Sequence, residues 1–112
     1  TADGTDIYFP FNSTRKLNNA EVEGYLNDVA ERVKKSGEKV VLTGHTDAIG
    51  SDESNIRLGQ SRADIVRDYL LSKGVPAAQI QATSKGESDP IGDNNTEAGR
   101  AKNRRTHLQI IK

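Results

Sequence analysis

Residues 39–54 read KVVLTGHTDAIGSDES, and the change of character inside this stretch decides the fold. Lys39–Thr43 is a short run rich in β-branched residues, the composition of a buried strand. The chain then turns polar at His45-Thr46-Asp47, so Gly44–Ser51 reads as a loop at the end of that strand. Ser51 or Asp52 is placed to cap a helix whose apolar stripe is Ile56, Leu58, Ile65, Val66, Tyr69 and Leu70. Gly74, followed by Val75-Pro76, stops it. A strand, a loop and a helix in this order put Asp47 just past the carboxyl end of a strand, where open α/β sheets bind their ligands.

The flanks extend the same alternation. Asp6–Phe11 (DIYFPF) reads as a strand with Ile7, Phe9 and Phe11 on one face, and Pro10 makes it an edge strand or ends it. From Asn18 or Asn19, apolar Val22, Leu26, Val29, Ala30 and Val33 follow helical spacing up to a capping Gly37. Downstream, Ile80–Ser84 alternates as a strand, and Lys85–Asn95 is a polar loop. Thr96–Lys102 predicts a short helical turn, and Arg104–Ile111 a last strand. The order is β-α-β-α-β-(α)-β, an α/β (α+β) sandwich with two main helices packed on a four-stranded mixed sheet. Right-handed crossovers make the second and third strands parallel neighbours. At 112 residues the chain, 1–112, is read as one domain, too short for two cores.

Composition narrows the function classes. Sixteen Lys and Arg balance sixteen Asp and Glu, which argues against general nucleic-acid binding. A small anionic ligand stays open because of the basic run Lys102–Arg105. No apolar run approaches bilayer length, and the first residues show no signal-peptide pattern. The piece therefore reads as soluble, a whole small protein or an excised domain, with membrane attachment only through parts outside it. Cysteine is absent, which removes disulfides and thiolate metal sites. His45 and His107 stand far apart in sequence, so no metal site is expected, and His45 reads as a hydrogen-bonding residue at the strand end. No nucleophile elbow or phosphate-binding glycine loop is present, and neither an enzyme nor a cofactor is expected.

The residues that carry chemistry cluster around Asp47. On the helix that follows, Asn55, Leu58 and Arg62 share one face, which turns Arg62 towards the loop holding Asp47. Spacing leaves three readings open. Asp47 is a turn residue; or it closes a salt bridge with Arg62; or the two straddle a zwitterion that brings both opposite charges. Leu58 is core or pocket wall.

The ordered motifs favour the third. Gly44-His45-Thr46-Asp47-Ala48-Ile49-Gly50, Asn55-x-x-Leu58 and Arg62-Ala63-x-x-Val66 are followed by Gly74-Val75, Gly86-Glu87-x-x-Pro90-Ile91 and Asp93-Asn94. Thr96-x-x-Gly99-Arg100 and Asn103-Arg104-Arg105 complete the series. From about Ile7 to Ile110 the chain resembles the OmpA-like C-terminal domain family. The resemblance implies non-catalytic binding of peptidoglycan through the diaminopimelate residue of its stem peptide. It implies anchoring of an envelope protein to the cell wall, at the periplasmic face of the outer membrane. By it, Asp47 accepts from the diaminopimelate ammonium, Arg62 holds the adjacent carboxylate, and Asn55 helps with the same head group. Backbone N–H groups around Ala48–Gly50 assist, and Arg104 lies near the stem peptide or, alternatively, in an exposed strand ion pair. The other reading is a partner-binding structural domain with an internal Asp47–Arg62 salt bridge. The chain departs from the family pattern in three places: Gly59 where Ser is usual, Ser84-Lys85-Gly86 for Gly-Tyr-Gly, and Thr106-His107 for Val-Glu. A glycine at 59 costs a helix up to about 1 kcal/mol.

Overall fold

A computed structural model describes residues 4–8 and 20–111. Phe9, Pro10, Phe11 and the proposed helix start at Asn18 or Asn19 lie outside them. The elements run β1 (Gly4–Tyr8), α1 (Ala20–Ser36), β2 (Lys39–His45), α2 (Asp52–Ser72), β3 (Ile80–Gly86), α3 (Glu97–Asn103) and β4 (Arg105–Ile111). A 3-10 turn at Ala77–Gln79, absent from the sequence reading, leads into β3. The sheet order is β1-β4-β2-β3. β2 and β3 are parallel as expected, and β4 runs antiparallel to both β1 and β2. Among the described residues no helix is long and apolar enough to cross a membrane.

Period-two alternation separates the faces of the sheet. Ile7, Val40, Leu42, Leu108 and Ile110 turn to the helices and are buried with Leu26, Val29, Ala30 and Val33 of α1 and Ala63, Val66 and Leu70 of α2. Each fully buried aliphatic side chain contributes about 1.5–3 kcal/mol. The predicted stripe of α2 is displaced: Ile56 and Ile65 are exposed, and Leu58 is half-buried outside the core. Asn55, Gly59, Arg62 and Ala63 join Val66 and Leu70 on the buried face instead, with glycine where the helix lies closest against the sheet.

The reason for that closeness is a glycine pair. A Cβ on Gly44 would fall 1.6 Å from the Gly59 carbonyl oxygen, and one on Gly59 would fall 2.8 Å from the Gly44 carbonyl oxygen and 2.3 Å from Ser84 Oγ. β2 and α2 therefore touch backbone to backbone. Gly59, read from sequence as a weakness of the helix, is what lets it seat. The departures at 59 and 84 face each other, Gly59 leaving the space that Ser84 Oγ occupies.

The ends of α2 are closed by local chemistry. Ser51 Oγ accepts from the Ser54 N–H at 3.1 Å, and Asp52 and Glu53 sit in the positive first turn. At the other end Gly74 adopts φ +94°, its N–H donates to the Leu71 carbonyl, and the Val75 N–H donates to the Leu70 carbonyl. That is a Schellman termination, completed by the burial of Val75 and Leu70. Buried Asn103 pins the loop before α3: its Oδ1 accepts from the N–H groups of Ile91 and Gly92, and its Nδ2 donates to the Gly92 carbonyl.

Candidate functional site

The carboxyl end of β2 and the first turns of α2 enclose a cavity of about 210 Å3 lined by Asp47, Ile49, Gly50, Ser54, Asn55, Leu58 and Arg62. Strand, loop and helix each supply part of it. Asp47 leaves the end of β2, Gly50 turns the chain with φ +98°, and the helix presents Asn55, Leu58 and Arg62 at their predicted spacing. Leu58 is thus pocket wall rather than core.

Both charged groups are buried: Asp47 is 4% exposed and Arg62 0%. Asp47 Oδ1 accepts from the Ile49 N–H at 3.0 Å, which fixes the plane of the carboxylate. Arg62 Nη1 donates to the His45 carbonyl at 3.0 Å. Burial brings the Arg62 guanidinium down to about 10; the charge of Asp47 opposes that fall and Arg104 adds to it. Arg62 remains cationic at neutral pH, and Asp47 supplies part of the field that keeps it so. Asn55 Nδ2 lies 3.4 Å from the Asp47 carbonyl and 3.5 Å from Glu87 Oε1. Glu87, hydrogen-bonded first of all to Asp52, has its carboxyl pushed up.

Two expectations change here. Arg104 is no exposed strand residue: it is 5% exposed and caps the C-terminus of α3, one residue before β4 begins. Its Nη1 donates to Asp47 Oδ2 at 3.2 Å and to Glu97 Oε1 at 3.2 Å, and its Nη2 donates to Glu97 Oε2 at 2.7 Å. The bonds to Glu97 and then to Asp47 raise the guanidinium further, while Glu97 is lowered by the same contact. Asp47 is therefore ion-paired with Arg104, a partner that spacing did not suggest, and its charge also acts on Arg62. Arg104 stands behind Asp47, outside the residues that line the cavity. Ala48 is exposed and is not a lining residue either, whereas Ile49, Gly50 and Ser54 are. Ser54 was legible one turn before Leu58; Ile49 was not, since an isolated apolar loop residue carries no period.

A family model described as OmpA family matches residues 8–104. This chain belongs to the OmpA family. The peptidoglycan-associated lipoprotein of Buchnera aphidicola subsp. Baizongia pistaciae is 43% identical over 104 residues, 92% of this chain and 59% of that protein. The peptidoglycan-binding protein ArfA of Mycobacterium bovis is 42% identical over 86 residues, 76% of this chain and 26% of that protein. Among solved structures, the peptidoglycan-associated lipoprotein from Burkholderia pseudomallei is similar with a TM-score of 0.87 at 34% identity, over 94% of this chain and 88% of that one. The chain spans about half the length of the curated relatives it matches.

In this OmpA-family chain the two histidines, distant in sequence, both line a second cavity, on the face of the sheet turned away from the core. Among the described residues no three His, Asp or Glu side chains gather where they could hold a metal ion. His45 is 3% exposed, and burial first, then the charge of Arg105, lowers its pKa from 6.5 to about 4, against the opposing charges of Asp89 and Asp6. A neutral His45 contributes stability that is complete above pH 6.5 and is lost as the pH falls towards 4, up to about 3 kcal/mol. The urea midpoint is expected to drop across that window, and a His45→Gln variant to lose most of the slope. An unchanged slope in that variant would remove His45 as the cause.

Proposed function

We propose that this chain binds peptidoglycan without catalysis, holding the diaminopimelate head group of a stem peptide and so anchoring an envelope protein to the cell wall. The observation that carries the reading is a buried carboxylate and a buried guanidinium on the walls of one small cavity. The far end of diaminopimelate bears an ammonium and a carboxylate on one carbon. Asp47 accepts from the ammonium, and Arg62 takes the carboxylate through its N–H donors. Asn55 and the N-terminal turn of α2 add donors beside that carboxylate, while Leu58 and Ile49 cover the methylene chain. Arg104, carried by Glu97, holds Asp47 in place from behind. Relatives named as peptidoglycan-associated and peptidoglycan-binding support the same partner, and an outer-membrane name among them supports the envelope, where the proposal puts the chain at the periplasmic face of the outer membrane.

Charge-assisted hydrogen bonds contribute about 1.5–3 kcal/mol each when shielded. Two or three of them, less the costs of ordering, give a single-site affinity of about micromolar to millimolar. Tethering to a membrane would make even that firm, because it raises the effective concentration. Calorimetric titration with a stem peptide containing diaminopimelate and with its lysine-containing counterpart tests the clamp. In the peptide the lysine side chain ends in an amine with no carboxylate beside it, so that peptide should bind at least about tenfold more weakly. Equal binding would mean that Arg62 does not read a carboxylate; if neither bound, the reading as a ligand-free, partner-binding domain would take its place.

A further inference from the structure

Charged side chains of alternating sign run outward from the cavity. Arg62 lies in the field of Asp47, Asp47 pairs with Arg104, Arg104 with Glu97, and Glu97 with Arg100. The series leads from the interior to the surface: Arg62 is fully buried, whereas the Glu97 side chain is 65% exposed. Arg105, next in sequence to Arg104, turns the other way and lines the second cavity with His45, on the face of the sheet turned away from the core.

The site depends on how Arg104 divides its donors. Its fork closes on Glu97, with Nη2 2.7 Å from Oε2 and Nη1 3.2 Å from Oε1. Asp47 Oδ2 takes Nη1 at 3.2 Å, a nitrogen that it shares with Glu97. A guanidinium gripping a carboxylate through two parallel bonds makes the stronger pair, so Glu97 holds the larger claim on the cation. Asp47 is thereby oriented without being neutralised. Its carboxylate, with several lone pairs, keeps acceptor capacity on the side that lines the cavity. Glu97 is itself held in place: Thr96 caps α3 in front of it, and Arg100 Nε lies 3.4 Å from its Oε1. Without the Glu97 charge, the fork of Arg104 would be free to turn on Asp47. The ligand ammonium would then compete with a guanidinium for the same oxygens.

We infer that Glu97 is a positioning residue for ligand binding: it draws the fork of Arg104 away from Asp47 and so sets the affinity of a cavity that it does not line. The inference rests on the peptidoglycan reading and says how that site is tuned. Its effect differs for the two halves of the zwitterion. The ammonium sits beside Asp47 and gains from a carboxylate behind Arg104. The ligand carboxylate sits beside Arg62 and does not.

The test is an NMR titration of the parent and Glu97→Gln chains with two stem peptides. One contains diaminopimelate; the other contains 2-aminopimelate, which keeps the distal carboxylate and lacks the amine beside it. Glutamine keeps the shape and still accepts from Arg104, so the urea midpoint should stay near that of the parent. Glu97→Gln should weaken the diaminopimelate peptide by about fivefold and change the aminopimelate peptide by less than about twofold. The ratio of the two affinities is the readout, so a small change in stability does not enter it. Glu31→Gln, an equal loss of charge at an exposed position of α1, should change neither. Undiminished affinity of Glu97→Gln for the diaminopimelate peptide would overturn the inference. Equal weakening of both peptides would do the same, because it would mark a general loss of order at the site. So would an equal effect of Glu31→Gln, which would reduce the matter to net charge. If the parent binds neither peptide, the clamp itself is lost and the role of Glu97 with it. If the parent binds the diaminopimelate peptide and the variant matches it, only the role of Glu97 is lost.

Discussion

Asp47→Asn should bring retention on peptidoglycan sacculi down to background, with a fall of about 100-fold in affinity for diaminopimelate and a chain that still folds. Asparagine keeps the shape and can still accept from the Ile49 N–H, so the loop after β2 holds its course. What goes is the charge, on both sides of the residue. Towards the cavity, the ligand ammonium loses its acceptor anion. Towards the interior, Arg104 and Arg62 lose the carboxylate whose field offsets their mutual repulsion. Removing one partner of a buried ion pair costs about 3–5 kcal/mol in general. Here Glu97 still holds Arg104 through two hydrogen bonds, so the loss of stability should sit below that range. Calorimetry for the ligand and urea unfolding for the fold separate the two effects. Undiminished sacculus binding by a folded Asp47→Asn variant would end the clamp assignment. Arg62→Ala is a poorer probe, because truncating a fully buried side chain that donates to the His45 carbonyl damages the fold as well as the site. Arg62→Lys keeps the charge while removing the planar fork of donors, and tests carboxylate recognition more cleanly.

The second large effect is on the scaffold. Gly44→Ala should destabilise the chain by at least about 3 kcal/mol, the upper part of the usual range for overpacking. The new methyl would meet the Gly59 carbonyl, its α-carbon and its carbonyl carbon, all backbone, so no side-chain rotation relieves the contact. α2 would have to lift from β2, carrying Asn55, Leu58 and Arg62 with it. Binding should therefore fail together with stability. Gly59→Ser should be milder, since part of its clash is with the Ser84 hydroxyl, and the double variant with Ser84→Gly should recover part of the loss. The remainder belongs to the Gly44 carbonyl, which does not move aside. Full additivity in that double-mutant cycle would show that Gly59 and Ser84 are not coupled. A Gly44→Ala variant as stable as the parent would contradict the backbone contact itself.

Much of the site was legible because it is local. Asn55, Leu58 and Arg62 share a helical face through spacing alone, and Asp47 follows from the strand–loop–helix order. Arg104 is different. Sequence places it at the start of a strand, and only the pairing of β2 with β4, which sets His45 opposite Arg105, brings it to Asp47, 57 positions away. The same holds for His45 and His107, which strand pairing carries into one cavity. The Ile56 and Ile65 expectations failed for a related reason. Periodicity identifies a helix, but how deeply each apolar position sinks depends on how near the neighbouring backbone comes, and here a glycine crossing sets that distance.

The stretch 39–54, taken alone, determined the strand, the loop, the capped helix and the position of Asp47 at their junction. Period, capping and turn chemistry are short-range, so a few neighbouring residues suffice to specify them. Which cation faces Asp47, which arginine of the Arg104-Arg105 pair goes to which face, and why position 59 carries no side chain were decided only by the tertiary structure. Those choices depend on strand register and on close approach between residues distant in the chain, and no local pattern encodes such contacts.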